Sequence, residues 1–286
     1  MNMIELKAPC KINLSLDITS KRCDGYHTLE SIFQTVSLFD EITVQKKVSG
    51  IELCCDGVEI DAEKNTCYKA ALLFFEKTKI CGGVKITVKK NIPSQAGLGG
   101  GSSDAAAVLK GLNKLYDTEL SDDELCRLGV KIGADVPFFI VGNTAYVSGI
   151  GEIIKPIKPI RDIFIAIAKG KSGISTVGAY KKFDTLLNQK HTNTKQIVSL
   201  IANSDIKAAA KLCVNSLEDC AELEDIEKIK SIFDKNGAFL SLMSGSGSAV
   251  FGLFTSKENA EAAVFDCSKQ FAFAAVCTPF TDGSSV

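Results

Sequence analysis

The chain has 286 residues, 45% of them hydrophobic, with 33 Lys and Arg against 34 Asp and Glu for a net charge of −1. That length and apolar content suit one or two domains with a real core, and the balanced charge, without a long basic run, argues against nucleic acid and anionic membrane as partners. The 11 cysteines are scattered, odd in number and never spaced C-x-x-C, and there are only 2 histidines. They exclude a disulfide framework and a zinc cluster, and read as reduced, mostly buried small hydrophobes.

Met1-Asn2-Met3-Ile4-Glu5 lacks the charged and apolar regions of a signal peptide, and the apolar run Ile163 to Ala168 is far too short for a bilayer. A cytoplasmic protein is expected. Lys11 to Asp17 alternates, with Ile12, Leu14 and Leu16 set against Lys11, Asn13, Ser15 and Asp17. This predicts a half-buried strand with Lys11 and Asn13 on one face, roughly 6–7 Å apart, a face that is ordinarily exposed to solvent. Asp24-Gly25 signals a tight turn, followed by Tyr26-His27 and, further on, Phe33-Gln34. Asn65 precedes the apolar helix Lys69 to Phe75 and is a candidate N-cap.

Val84 to Val88 alternates as a strand, and Ala105, Val108, Leu109, Leu112, Leu115 and Tyr116 recur at helical spacing. Between them stands Pro93-Ser94-Gln95-Ala96-Gly97-Leu98-Gly99-Gly100-Gly101-Ser102-Ser103-Asp104. Glycines let a backbone approach a ligand closely, and the first turn of a helix offers unpaired N–H groups and a partial positive charge, so strand, glycine loop and helix together form a phosphate cradle. The plain alternative is a turn capped by Ser102 or Ser103, with Asp104 near the positive helix end. A Walker A loop is excluded because Ser102 follows Gly101 and no Lys is present; the glycine spacing also misses the dinucleotide fingerprint.

Ser121 with Glu124 predicts a capping box for a helix carrying Leu125, Leu128 and Ile132 that stops at Gly133. In Gly133-Ala134-Asp135-Val136-Pro137-Phe138-Phe139 a carboxylate is flanked by apolar residues, where burial without a partner is costly. Gly149 to Glu152, followed by Pro156 and Pro159, marks an expected domain boundary. Ile163 to Ala168 reads as a buried strand, Ser172 to Thr176 opens a helix that includes Tyr180, and residues 185–236 read as helical and charged. A second glycine turn, Ser244-Gly245-Ser246-Gly247-Ser248, lies between apolar runs, and Phe271 to Val276 reads as a closing strand.

The stretch Gly97-Leu98-Gly99-Gly100-Gly101-Ser102-Ser103-Asp104-Ala105-Ala106 resembles the second motif of the GHMP small-molecule kinases, which include galactose, homoserine and mevalonate kinases. Its long glycine form resembles one branch, acting on a cytidine-diphosphate-linked small molecule in non-mevalonate isoprenoid synthesis. Pro9 to Leu14 resembles the first motif of that branch, Gly133 to Phe139 the stretch with the catalytic Asp, and Leu242 to Gly252 the third motif. Asp24-Gly25-Tyr26-His27 with Phe33-Gln34 is similar to the segment that binds cytosine. Asn215-Ser216-Leu217-Glu218 resembles a family landmark without an obvious role.

The resemblance implies an α+β, two-domain fold. Residues 1–150 would form a ribosomal-S5-like ATP-binding domain and 151–286 a ferredoxin-like domain. It implies Lys11 and Asp135 as catalytic residues, with Lys11 keeping Asp135 ionised and offsetting phosphoryl charge. Pro93 to Ser103 and Asn65 would bind ATP; Asn13, Tyr26, His27, Phe33, Thr176, Tyr180, Gly245, Ser246 and Gly247 would line the substrate. Tyr26 and Tyr180 would stack on cytosine, and His27 or its backbone would bond the pyrimidine edge. Mg2+ is implied for charge neutralisation, with Ser103 as its ligand. A monomer or weak homodimer is expected. The rival readings are a GHMP kinase for another small alcohol, which would not need Tyr26, His27 and Tyr180, and a non-catalytic nucleotide-sensing module, which could lose Lys11 or Asp135.

Overall fold

The computed structural model describes residues 2–56 and 62–281. Its contacts group into two compact units that interleave along the chain. One unit gathers Met1–Cys10, Leu38–Ile92 and Gly99–Val141, and the other Lys11–Ser37, Pro93–Leu98 and Gly142–Val286. Two long strands, β1 (Met3–Lys21) and β2 (His27–Lys47), pair with each other and contribute residues to both units. The turn joining them is the expected Asp24-Gly25, with Gly25 at φ 86° and the Tyr26 N–H donating to Asp24 Oδ1.

In the first unit, β3 (Gly50–Cys55) and β4 (Gly83–Lys89) run parallel, as a helical crossover permits, and the helix between them is α1 (Thr66–Thr78). The Lys47 end of β2 lies antiparallel to β4, from Glu41 opposite Lys89 to Lys47 opposite Gly83. Helix α2 (Gly100–Tyr116) packs against α1, and Val44, Phe74, Ile86, Leu109 and Leu112 are buried in this core. Helix α3 (Asp122–Val130) opens with the expected box, both halves of the Ser121–Glu124 exchange being made. The short α4 (Val136–Val141) follows Asp135.

The second unit contains the Gln34 end of β2, paired with β5 (Thr144–Gly149), and β6 (Ile153–Pro156) beyond it. Residues 149–152, where the sequence suggests a boundary, are the turn of the β5–β6 hairpin. A second sheet holds β7 (Phe164–Lys169), β8 (Leu240–Met243), β9 (Val250–Phe254) and β10 (Phe273–Cys277) in the order β10-β7-β9-β8, every neighbour antiparallel. With α5 (Thr176–Phe183), α6 (Thr194–Ala202), α7 (Ile206–Ala210) and α8 (Glu224–Lys235) between β7 and β8, and α9 (Lys257–Ser268) between β9 and β10, this is the split β-α-β of the ferredoxin-like fold. Its core buries Ala166, Ile229, Phe233, Val250, Phe254 and Ala263.

The start of the glycine loop is clasped inside this unit. Lys11 N–H donates to Leu98 O at 3.0 Å, Ala249 N–H to Ala96 O at 3.1 Å, and the Ser244 hydroxyl to Gly97 O at 3.0 Å. Gly97 sits at φ 72°, and a Cβ built there would lie 1.9 Å from the Ser244 carbonyl oxygen. The loop continues into α2, which begins at Gly100, five residues before the start the apolar spacing suggests.

Within the first unit, a buried ion cluster secures the end of β4 to α2. Asp40, fully buried, accepts from the Asn91 and Ile92 N–H groups at 2.6 and 2.8 Å and from Lys90 Nζ, which also lies 2.7 Å from Asp104. The second oxygen of Asp104, Oδ1, is buried without a partner among the described residues. Burial pushes Asp104 up to about 7, with Lys90 pulling against it and the Asp40 charge adding to it. Burial works to lower Lys90, but the two carboxylates outweigh it and leave it raised.

Two outcomes are expected. Gly97→Ala loses more than the roughly 1–2 kcal/mol of a left-handed backbone alone, since the collision adds to it; a parental urea midpoint in that variant would contradict the clasp. For Asp104, a carboxyl raised in the folded state binds protons there that the unfolded chain has released, so its contribution to stability falls as pH rises from about 4 to about 7. Thermal unfolding across that window should therefore show Asp104→Asn gaining on the parent as pH rises. A constant or shrinking difference would refute it.

Candidate active site

The polar face of β1 is not exposed: Lys11, Asn13, Ser15 and Asp17 are each at most 4% accessible. Polar groups buried this deeply need partners, and they have them. Lys11 Nζ donates to Asn13 Oδ1 at 2.5 Å and stands 4.6 Å over the Phe33 ring. Asn13 Nδ2 donates to Ser31 Oγ at 3.1 Å, and Asn13 N–H to the Ser244 hydroxyl at 3.2 Å. That hydroxyl therefore links β1, the third-motif turn and Gly97 through one acceptor and one donor bond. Phe33, expected against the substrate, is buried at 3% accessibility beneath Lys11 Nζ.

Gly245 approaches Asn13 and Gly97 so closely that a Cβ would lie 3.2 Å from each oxygen, and Gly245, Ser246 and Gly247 are all buried. The hydroxyls of Ser246 and Thr176 are 2.8 Å apart, joining this turn to the start of α5, whose N-cap is Ser175. The role of Asn215, unassigned from sequence, is now visible: its Nδ2 donates to both Met243 O and Gly245 O at 2.8 Å and holds the turn. No local pattern could have shown this, because the partners are 28 and 30 positions away.

A third group brings together His27 and Tyr180, two of the residues expected around cytosine. His27, on β2, is buried, with its ring 5.2 Å from Tyr180 at a 31° tilt and edge-on to Phe183 at 6.3 Å. Its Nε2 lies 2.7 Å from Asp184 Oδ1, and Asp184 Oδ2 lies 2.6 Å from Lys21 Nζ. Lys21, then His27, hold the Asp184 carboxyl below its usual range. Tyr26 is 61% exposed and presents an open aromatic face. Sequence reasoning missed Asp184; only a carboxylate at a helix end hinted at it.

In the first unit, the N-cap of α2 is Gly99 at φ 72°, with no side chain capping the first turn. Ser102 and Ser103 lie inside the helix and do not cap it, contrary to the plain turn reading. The leading N–H groups of Gly100, Gly101 and Ser102 therefore form the kind of uncapped, partially positive end that suits an anion. Asn65 caps α1 by accepting from the Cys67 N–H at 2.8 Å, while its neighbour Thr66 donates to Gly101 O at 2.7 Å and ties α1 to the loop. Ser103 Oγ is buried and finds no partner among the described residues, which fits a hydroxyl waiting for a ligand oxygen or a cation. No group of three or more His, Cys, Asp or Glu among the described residues could hold a metal by itself. Asp135 is partly buried in the turn before α4, where the Val136 N–H donates to Gly133 O.

Comparison with known proteins agrees along the length of the chain. The family model described as the GHMP kinases N terminal domain matches residues 65–143, and that described as GHMP kinases C terminal matches residues 197–272. Proteins named 4-diphosphocytidyl-2-C-methyl-D-erythritol kinase from Clostridium novyi and Caldicellulosiruptor bescii are 43% and 42% identical to it. The alignments cover 87% and 90% of this chain, and 90% and 91% of those proteins. A crystal structure of 4-(cytidine 5'-diphospho)-2C-methyl-D-erythritol kinase superposes with a TM-score of 0.84 at 32% identity, over 98% of this chain and 100% of that one. Homoserine kinase from Cytophaga hutchinsonii, at 18% identity and a TM-score of 0.76 over 98% of this chain and 95% of that one, shares the fold. The ferredoxin-like topology of the second sheet and these matches lead to one conclusion: the chain belongs to the GHMP kinases, on the 4-diphosphocytidyl-2-C-methyl-D-erythritol kinase branch.

Proposed function

We propose that this small-molecule kinase transfers the γ-phosphoryl group of ATP to the 2-hydroxyl of 4-diphosphocytidyl-2-C-methyl-D-erythritol, giving the 2-phosphate and ADP in the non-mevalonate route to isoprenoids. The observation that carries the reading is the 43% identity, over nearly nine-tenths of the chain, to kinases named for that substrate. The cluster of His27, Tyr180 and Asp184 beside the exposed Tyr26 supports it locally, since it offers a pyrimidine both a ring to stack on and an edge to bond. On this reading residues 1–150 form the ATP-binding domain and 151–286 the partner domain. The setting we assign is the cytoplasm, as a monomer or weak homodimer.

Phosphoryl transfer asks a protein for positioning and charge stabilisation more than covalent chemistry. The uncapped N–H groups at the start of α2 and the loop from Pro93 to Ser103 hold the ATP phosphates, with Asn65 bordering the base. Asp135 orients the acceptor hydroxyl or takes its proton. Lys11, fixed by Asn13 and Phe33, offsets charge on the transferred group. Magnesium supplies charge neutralisation in such reactions, and the unpartnered Ser103 hydroxyl is the residue we assign to it. Asn13, Thr176, Gly245, Ser246 and Gly247 shape the acceptor side.

The decisive assay is ATP consumption by purified protein with magnesium and the cytidyl substrate, beside homoserine, galactose and mevalonate. Turnover with the cytidyl compound alone is expected, and turnover with a control in its place would overturn the substrate. Asp135→Ala and Lys11→Ala should each lower kcat by about 10²-fold or more, the scale of positioned acid–base and charge-stabilising groups. Near-parental turnover in either would remove that residue from the mechanism. His27→Ala should raise KM for the cytidyl substrate while sparing kcat, and an unchanged KM would count against its pyrimidine contact.

A further inference from the structure

Building on that cytidine reading, we propose that Asp184 sets base specificity by holding the proton of His27 on Nε2, so that Nδ1 accepts from the 4-amino group of cytosine and rejects the 4-oxo group of uracil. Asp184 is the C-cap residue of α5, 157 positions from His27, and its two oxygens are divided between two partners. Oδ2 takes Lys21 Nζ at 2.6 Å and Oδ1 faces His27 Nε2 at 2.7 Å. A lysine ammonium has only donors and an ionised carboxylate only accepts, so the contact at Oδ1 requires the N–H on Nε2. Lys21 and His27 together hold Asp184 below its usual range, which keeps it an acceptor.

A neutral imidazole has one donor and one acceptor, so once Nε2 carries the proton, Nδ1 is a lone pair. Among the described residues Nδ1 makes no hydrogen bond. The ring cannot turn freely, because its side chain is 7% accessible, Tyr180 lies along one face and Phe183 stands edge-on to it. A fixed acceptor suits the 4-amino donor of cytosine and is repelled by the 4-oxo acceptor of uracil. A site built to bond one group discriminates strongly against an analogue that leaves its own polar atom unpaired. Asp184 acts through His27 and is a positioning residue for specificity.

The test compares kcat/KM for the cytidyl substrate and its uridyl counterpart at one fixed pH. The parent should prefer the cytidyl compound by about 10²-fold or more. Asp184→Ala should lower that preference by about tenfold or more, mainly through KM, whereas Asp184→Asn, whose amide oxygen still accepts from Nε2–H, should retain most of it. A preference unchanged in Asp184→Ala overturns the inference and leaves the proposed reaction standing. A parent that uses neither compound, or both equally, overturns the cytidine reading itself and the inference with it. Independently of any variant, nitrogen–proton NMR of the His27 ring should place the proton on Nε2; a proton on Nδ1 overturns the assignment.

Discussion

The backbone contact between Gly97 and Ser244 is the constraint on which the polar network of the second unit depends. No side chain fits between the Gly97 backbone and the Ser244 carbonyl, and the same serine's hydroxyl bonds both Gly97 O and the Asn13 N–H. Three segments distant in sequence are thereby placed within a hydrogen-bond length of one another. Lys11 follows because its N–H is bonded to Leu98 O and its Nζ to Asn13. The turn itself is held from behind by Asn215 through two carbonyls. Such a network is effective as a positioning device because each buried polar atom would be costly to leave unpaired.

The cradle at the start of α2 is built on the opposite principle. No side chain caps its first turn among the described residues, and the Ser103 hydroxyl has no partner there. Beneath it, Asp40, Lys90 and Asp104 form a buried ion cluster of the kind that adds little net stability, since desolvation offsets attraction. Its contribution here is placement, because Asp40 also anchors the Asn91 and Ile92 N–H groups as the chain leaves β4.

Fold alone does not choose the substrate. Homoserine kinase shares this architecture at 18% identity, and folds of this kind host several acceptors. The chemistry that separates them is local, and where β2 meets the end of α5 this chain carries a buried polar and aromatic group. A histidine there is pinned by a carboxylate on one side and by aromatic rings on its faces. The neighbouring Lys21 completes the charge balance of the carboxylate at the surface.

Much of this was legible in the sequence wherever the controlling interaction is local. Alternation from Lys11 to Asp17 marked a strand, Ser121 with Glu124 marked a capping box, and Asp24-Gly25 marked the turn after β1. The ferredoxin-like topology was reachable only through resemblance, because periodicity carries no strand order. Alternation likewise shows that a strand has two faces but not what covers them, so the burial of Lys11, Asn13, Ser15 and Asp17 was invisible. The start of α2 at Gly100 was obscured because glycine and serine are poor helix formers, and it is tertiary packing that makes them helical there. Asp184 against His27, Asn215 against the 243–245 turn, and Lys90 between Asp40 and Asp104 join partners 14 to 157 positions apart. The sequence by itself determined the local elements; only the tertiary structure decided which buried polar groups are paired, because that pairing is made between segments the chain brings together solely by folding.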